Sequence, residues 1–502
     1  MLTEIPVPPG VVQAGTTYEQ KNRWTDANLV RWVNGRLRPV GGWSKITSTP
    51  LTGTPTNLLA WKATTGSNEL IWTAIGTNSK LYALGDGIYN DVTPTGLVAG
   101  NAASSIGLGF GAADFGEEDW GDARSGSGLR IGSNNWALDN WGTTLIACSY
   151  ADGKVYEFDP TSLPISAATQ ITNAPIDNQS ALVTDQRFLV CFGAGGNRRK
   201  VQWSDREDYT VWTPASTNLA GSIELQTAAE IQQAVKVAGQ VLILTQTDAH
   251  RMEFLGAPLV YGIERIGENC GTLSQRAAIA AENRVFWMGR DGFYVYDGYV
   301  KPMPCDVHDF VFDNINYFQR DQITSGHNAA FNEVWWFFPS GATSAPDRYV
   351  AYNYLENYWT VGRMERTAWM DGGLWSYPVA ATFDGHLYYQ EYGWTASGAD
   401  RKSDVWALTG PIQISQGDKV MAVNQLIIDE DAATSGAVGV SFQLRTNQNQ
   451  TATTVGPFTA GSNGYTDCRF TARQVEIKVQ AQRDERFDYG ILRADLRAGG
   501  RR

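Results

Sequence analysis

Charge is scarce in this chain. Asp, Glu, Lys and Arg make up 18% of its 502 residues, against roughly 25% in an average soluble protein. The Leu-, Glu-, Lys- and Ala-rich stretches that build long amphipathic helices are missing, which excludes a helical bundle. Cysteine is sparse as well. Cys148, Cys191, Cys270, Cys305 and Cys468 are odd in number, far apart and without a Cys-x-x-Cys, so they read as reduced, buried small hydrophobes rather than a disulfide framework or zinc site. No stretch approaches 18 consecutive apolar residues, and no membrane span is expected. The opening MLTEIPVPPG has neither a basic region nor an apolar run, so no secretory signal is expected and synthesis in a cytoplasm follows. With a formal charge of −12 and a pI near 5.0, the chain offers no global basic face for gripping nucleic acid.

The space left by charge is filled by 52 Gly, by Thr, Ser and Asn, and by aromatics that include 18 Trp and 21 Tyr. Aromatic and β-branched residues suit a half-buried pleated surface, and Gly and Asn tolerate the positive φ of tight turns. The class is all-β. Its clearest unit is VFWMGRDGFYVYDG (285–298), two short aromatic strands flanking Arg290-Asp291-Gly292, a hairpin signal. Similar units recur at 70–89, 145–158, 188–203 (turning at Gly195-Gly196-Asn197), 241–254, 334–352 and 379–390. From Asp152 onward the turn centres lie roughly 45 residues apart, the length of one four-stranded propeller blade. The longer first interval is accounted for by a Gly-rich insertion at 101–133. Seven hairpins predict a β-propeller of six or seven blades over residues 51–406.

After Ala407 tryptophan disappears. QLIIDE (425–430), VGVSFQLRT (438–446) and QVEIKVQAQ (474–482) alternate with period two, which predicts a C-terminal β-sandwich over 407–502 ending in one last strand and a frayed basic tail. Residues 1–50 resemble neither part. Pro6, Pro8 and Pro9 predict an extended N-terminal arm, and VRWVNGRLRPVGGW (30–43) a hairpin about Asn34-Gly35 that completes the first blade or docks on a neighbouring subunit.

Reactive motifs are missing. His250, His308, His327 and His386 fall in no metal-binding or hydrolase pattern; His250 and His386 read as exposed turn residues, because a functional imidazole comes with an orienting carboxylate or a second ligand. The turn residues Asp86, Asp152, Asp291, Asp297 and Asp384 raise the idea of paired carboxylates for glycoside hydrolysis. They lack the flanking Ser and Gly-x-Thr-Trp of sialidase turns, so positive φ explains them better. Glu117, Glu118, Asp119 and Asp122 in the insertion do not match a calcium loop. Arg198, Arg199 and Lys200 beside Trp203 read as charge protecting a strand edge. No catalytic, cofactor or metal residue is nominated, and the expectation is a protein that is not an enzyme and carries no cofactor.

Several phrases together, GRLRPVGGW (35–43), WALDNWGTTLIAC (136–148), RRKVQWSDREDYTVWTP (198–214), the Asp-Gly-flanked hairpin (291–298) and RADLRAGGRR (493–502), resemble the tail nozzle or tail tubular proteins of short-tailed bacteriophages, which are related in plan to packaged-DNA stabilisation proteins. The resemblance implies a virion structural protein of the distal tail, made in the host bacterial cytoplasm. It further implies a homo-hexameric ring beneath the head-to-tail adaptor, with fibres or spikes attached and DNA passing through the lumen without sequence-specific binding. The insertion is then expected to reach a neighbouring subunit or the lumen. Two rival readings are a receptor- or glycan-binding propeller of the virion and a polysaccharide hydrolase.

Overall fold

The seven hairpins become the second and third strands of seven four-stranded antiparallel sheets that follow one another along the chain. These are seen in a computed structural model that describes residues 2–500 apart from 17, 66–67, 107–129, 163, 414–418 and 447–449. The sheets occupy 55–91, 136–170, 180–224, 231–267, 278–303, 324–363 and 368–390. In each, a strand that the hairpin pattern did not reveal comes first: Pro55–Thr65, Trp136–Trp141, Ser180–Val183, Ile231–Val237, Ala278–Ala281, Thr324–Asn328 and Ala368–Met370. Each of these inner strands touches the next, and the seventh touches the first. The chain is all-β and its sheets are arranged in the manner of a propeller.

Tryptophan joins sheet to sheet. Trp136 of the second sheet fills the place where Gly76 of the first has no side chain; a Cβ there would lie 2.4 Å from the indole. Its Nε1 donates to the Thr77 carbonyl at 2.7 Å. Trp369 of the seventh sheet covers Gly326 of the sixth in the same way and donates to the His327 carbonyl at 2.9 Å. Trp336 and Trp61 likewise reach the carbonyls of Ala277 and Thr143 on neighbouring sheets. An indole supplies a large apolar wedge and a donor for a strand-end carbonyl, both of which a buried joint between twisted sheets requires.

The first 45 residues correct the expected arm. Only three strands of the seventh sheet come from residues 368–390; its fourth is Trp43–Lys45, paired with Leu387–Gln390 in the register Trp43 to Gln390. The hairpin Val30–Val33 and Arg36–Pro39 does not complete the first sheet. It pairs with Phe487–Tyr489, next to Glu430–Ala432. Leu2–Ile5 adds to the edge of Leu492–Ala498, and Trp24–Asn28 pairs with Trp406–Thr409. Unpaired edges are costly and attract wrong partners; here each end of the chain covers an edge left by the other.

Apart from Glu430–Ala432 and Phe487–Tyr489, the strands after residue 406 belong to two sheets that face each other. One has the order Leu2–Ile5, Leu492–Ala498, Met421–Ile427, Thr466–Ala472; the other is built on Gln474–Ala481 and Val438–Arg445. Met421, Val423, Phe442, Phe470, Val475 and Ile477 are buried between them. This core is continuous with Trp24, Trp32 and the aromatic interior of the fifth and sixth sheets. The last strand expected at RADLRA is Leu492–Ala498, and it is a central strand, flanked on both sides.

Arg31 fastens the N-terminal hairpin to the sixth and seventh sheets. Its Nε and Nη2 donate to the two oxygens of Glu333 at 3.0 and 3.1 Å, and Nη1 and Nη2 to Glu391. Its guanidinium lies 3.7 Å from the centre of the Phe331 ring. Trp335 Nε1 also donates to Glu333, and the Gly41 amide and Asn328 Nδ2 to Glu391. Burial pushes the Glu333 carboxyl from its ordinary 4.5 up to about 7, against the pull of Arg31 and with help from Glu391. A carboxyl taken out of water and facing a second carboxylate holds its proton more tightly.

Arg31→Ala is expected to cost about 3–5 kcal/mol in urea unfolding, because two carboxylates stay behind without their cation. Between pH 4.5 and 7 the folded chain holds the Glu333 proton more tightly than the unfolded chain, so this group's contribution falls as pH rises. Glu333→Gln removes that slope: the wild-type advantage over the variant should shrink from pH 4.5 to 7, whereas a gap independent of pH would mean that Glu333 stays ionised throughout.

Candidate functional site

The seven inner strands enclose a cavity of about 550 Å³ on the axis of the ring. Every one of them contributes to its wall, with Thr56 and Leu59 from the first sheet, Leu138 and Asp139 from the second, Lys236 from the fourth, and Arg276 just ahead of the fifth.

One end of the cavity is sealed. Arg276, buried, donates through Nη1 to the carbonyls of Thr56 and Thr367 and through Nη2 to that of Asp321 at 3.1 Å. It thereby ties together segments leading into the first, seventh and sixth sheets. Burial pushes its guanidinium down to about 10, and it remains a cation at neutral pH. Over this cross-link lies the base of the insertion. The two-stranded stem Ser105–Ile106 and Arg130–Ile131 crosses from between the first two sheets to Tyr317–Gln322, between the fifth and sixth. The Ser104 amide donates to Gln319 Oε1 at 2.8 Å, Gln319 Nε2 donates back to the Ser104 carbonyl at 2.9 Å, and Arg130 pairs with Asp321 at 2.6 Å. Glu117, Glu118, Asp119 and Asp122 lie outside the described residues.

At the other end Lys236 of the fourth sheet reaches past the third to Asp139 of the second, at 2.8 Å. Asp139 Oδ2 also accepts the Val183 amide at 2.8 Å. Among the described residues lining the cavity, Asp139 is the one carboxylate. Hydrolysis by a carboxylate pair therefore has one of its two groups on this axis, and that one is held by Lys236.

Sequence reasoning misjudged the histidines. His250 is no exposed turn residue: it lies in the strand Ala249–Gly256, 3% exposed, with its pKa lowered by burial. His386 does sit at its turn, near Asp384, and His308 is on the short helix His308–Phe312, bonded to the Asp291 carbonyl at 3.1 Å. His327 has the orienting carboxylate that the sequence did not reveal. Its Nδ1 lies 3.0 Å from Asp371 Oδ2 and its Nε2 3.1 Å from the Tyr354 hydroxyl. Burial raises Asp371, but hydrogen bonds from His327, Gly372 and Ala329 prevail and hold it below the usual carboxylate range. The three residues stand on separate segments of the sixth and seventh sheets, and their 44-residue spread leaves no linear motif. No group of three or more His, Cys, Asp and Glu residues suited to a metal occurs among the described residues.

The remaining candidates are structural in their contacts. At the Asp-Gly turns, Asp86 and Gly87 both have positive φ and at 153, 298 and 385 only the glycine does, but at Asp291-Gly292 neither does, so positive φ does not explain that turn. Arg199 pairs with Glu224 at 2.6 Å, and Trp203 is buried with its Nε1 on the Leu219 carbonyl, so the basic run is no stacking platform. All five cysteines are free thiols, four of them buried. No helix among the described residues is long and apolar enough to cross a membrane.

No family model matches this chain, and no curated protein does. Among solved structures, the β-propeller domain of a Myceliophteria thermophila protein aligns over 68% of this chain and 98% of its own, at 9% identity and a TM-score of 0.38. An exo-β-1,3-galactanase from Phanerochaete chrysosporium aligns over 91% of this chain and all of its own, at 11% identity and a TM-score of 0.31. The expectation that the chain is not an enzyme is corrected on this point. A galactanase stands among its structural neighbours; at this identity the galactanase activity belongs to that protein alone.

Arg276→Met keeps most of the side-chain volume but leaves three carbonyls without their donor. It should destabilise the protein by about 1–3 kcal/mol for each carbonyl left unsatisfied. Amide exchange at Tyr317–Gln322 should rise above that of the outer strands; uniform exchange would mean that the seal does not depend on Arg276.

Proposed function

We propose that this chain is a structural subunit of a virus particle, forming with identical copies the ring-shaped nozzle of a short bacteriophage tail. The observation that carries the reading is where the resembling phrases fall. GRLRPVGGW supplies one arm of the N-terminal hairpin and the start of the ring-closing strand. WALDNW is the inner strand of the second sheet, and RADLRA is the central strand that joins the two chain ends. The resemblance follows the joints of the architecture rather than a reactive site, as expected of a part that bears load.

In this reading the seven sheets are seven blades, and the two facing sheets are a β-sandwich fused to them. The sealed axis supports a conduit that runs between subunits, because a duplex about 20 Å wide cannot share a cavity lined this closely by side chains. Residues 407–502 contain 11 Lys and Arg against 10 Asp and Glu, so the acidity of the chain lies in residues 1–406. A wall formed by the acidic part repels DNA only within about 8 Å at physiological salt, guiding it without trapping it.

Immunogold electron microscopy, with an antibody raised against residues 407–502 and particles from the source, tests the reading. Gold confined to the distal tail is the expected result. Gold along projecting fibres would transfer the protein to receptor binding, and unlabelled particles with an accessible epitope would remove it from the virion.

A further inference from the structure

A second cavity, of about 600 Å³, lies off the axis of the ring. Its walls include the last two strands of the sixth sheet, Arg348–Asn353 and Tyr358–Arg363, the strand Trp24–Asn28 and the short helix His308–Phe312. Two arginines meet in it. Arg348 and Arg363 are direct partners in the ladder of these antiparallel strands, so their side chains leave the same face of the sheet roughly 4.5–5.5 Å apart at Cβ. Like charges placed directly opposite destabilise a strand pair. Arg348 is partly exposed and Arg363 exposed, and both line the cavity.

No described residue relieves the pair. Neither side chain has a salt bridge or a hydrogen bond to a described residue; Arg348 lies over the Phe310 ring, 5.2 Å from its centre. Three carboxylates also line the cavity, those of Asp26, Glu365 and Asp404, but among the described residues they form no converging group. Glu365 Oε1 accepts the Phe383 amide at 2.7 Å, and Asp26 Oδ1 the Ala27 amide at 2.9 Å. Burial raises the Asp26 carboxyl above its ordinary range in spite of the Ala27 amide and the attraction of Arg363 and Arg348, the reverse of what a close ion pair produces. The third arginine of the lining, Arg366, already donates to the Glu365 carbonyl and to Gln390. The carboxylates are dispersed and two cations stand together, so the unmet charge in this cavity is positive.

That narrows the class of ligand. Planar guanidinium forks match the oxygens of a phosphate or a carboxylate. The volume falls within the 300–1,000 Å³ typical of small-molecule sites, more than an inorganic ion needs, and Trp43, Phe310 and Trp406 add partly exposed aromatic surface. We propose that this cavity binds a small molecule through a phosphate or carboxylate group held between Arg348 and Arg363. The site is separate from the axial cavity and does not rest on the place of the chain in a particle.

The test is calorimetric titration and thermal unfolding of the full chain with sodium phosphate, phenyl phosphate and benzoate, against sodium chloride of matched ionic strength. Saturable one-to-one binding of at least one of the three, with a Tm above that in chloride, is expected. Tighter binding of either phosphate compound assigns a phosphate ligand, and tighter binding of benzoate a carboxylate. Arg363→Gln, at an exposed position, should weaken binding at least about tenfold, the worth of a charged hydrogen bond. In chloride alone it should unfold no earlier than the wild type, because the opposition of like charges is gone. Arg348→Gln should weaken binding as much, and keeps the test valid should the first variant fold poorly. Stabilisation that chloride reproduces would show screening of two charges and no site. That result, no saturable binding, or binding that both variants leave unchanged would overturn the assignment.

Discussion

The closing of the ring is the constraint on which the rest of this structure depends. A seventh sheet built only from residues 368–390 would end on the open edge of Leu387–Gln390; Trp43–Lys45 covers that edge. The entropic cost of joining segments nearly 350 residues apart grows only with the logarithm of the loop length. The geometric demands are sharper. A Cβ on Gly41 would meet Glu391 Oε2 at 2.4 Å, and one on Gly42 would meet the Thr395 carbonyl oxygen at 2.4 Å. The chain can draw this close to residues 391–395 only because two glycines precede Trp43. Trp43 is then flanked by the guanidinium groups of Arg366 and Arg401, at 5.0 and 5.5 Å.

Once residue 43 is fixed beside residue 390, the preceding forty residues have to lie near the start of the C-terminal strands. There they find edges to cover. The two ends of the chain thus share sheets, and Arg31 is carried to the one place where it can bridge the sixth and seventh sheets. The buried ion triad is a consequence of closure and fastens the hairpin to the closed ring. Replacing such a triad by apolar residues often costs little, while removing one member costs much; its value here lies in fixing the hairpin in one register against Glu333 and Glu391.

What was legible in the sequence follows from this division between local and distant pairing. The hairpins could be read because their two strands are adjacent in the chain, aromatic and joined by Gly, Asn and Asp turns. The inner strands were hidden. Thr324–Asn328 reads TSGHN, with no apolar alternation, since one face looks onto a polar axis and Gly326 makes room for Trp369. The N-terminal strands were misassigned because nothing local in Val30–Pro39 indicates a partner 450 residues away, even though Arg38 and Asp488 meet there as a bidentate pair. The axial cavity was illegible for the same reason: the seven inner strands that line it are far apart in the chain, and only the ring brings them together.

The buried arginines show how such a ring deals with its strand ends. Inner strands begin and stop where ladder pairing runs out, which leaves carbonyls inside the protein with no amide to accept from. Arg276 reaches three of them; Arg401 reaches Val40 and Trp394, and Arg366 reaches Glu365 and the Gln390 side chain. Burial pushes each of these guanidinium groups down to about 10, still above neutral pH, so all three stay charged without a carboxylate in hydrogen-bond contact. A lysine could not serve in their place: its three donors spread from one nitrogen, whereas a planar guanidinium spans carbonyls on separate segments. Arg31 differs in having carboxylates as partners, and it is the one that fastens the added hairpin rather than the ring itself. The ring is thus held by cations that donate to backbone carbonyls, and its attachment to the rest of the chain by a cation that pairs with charge.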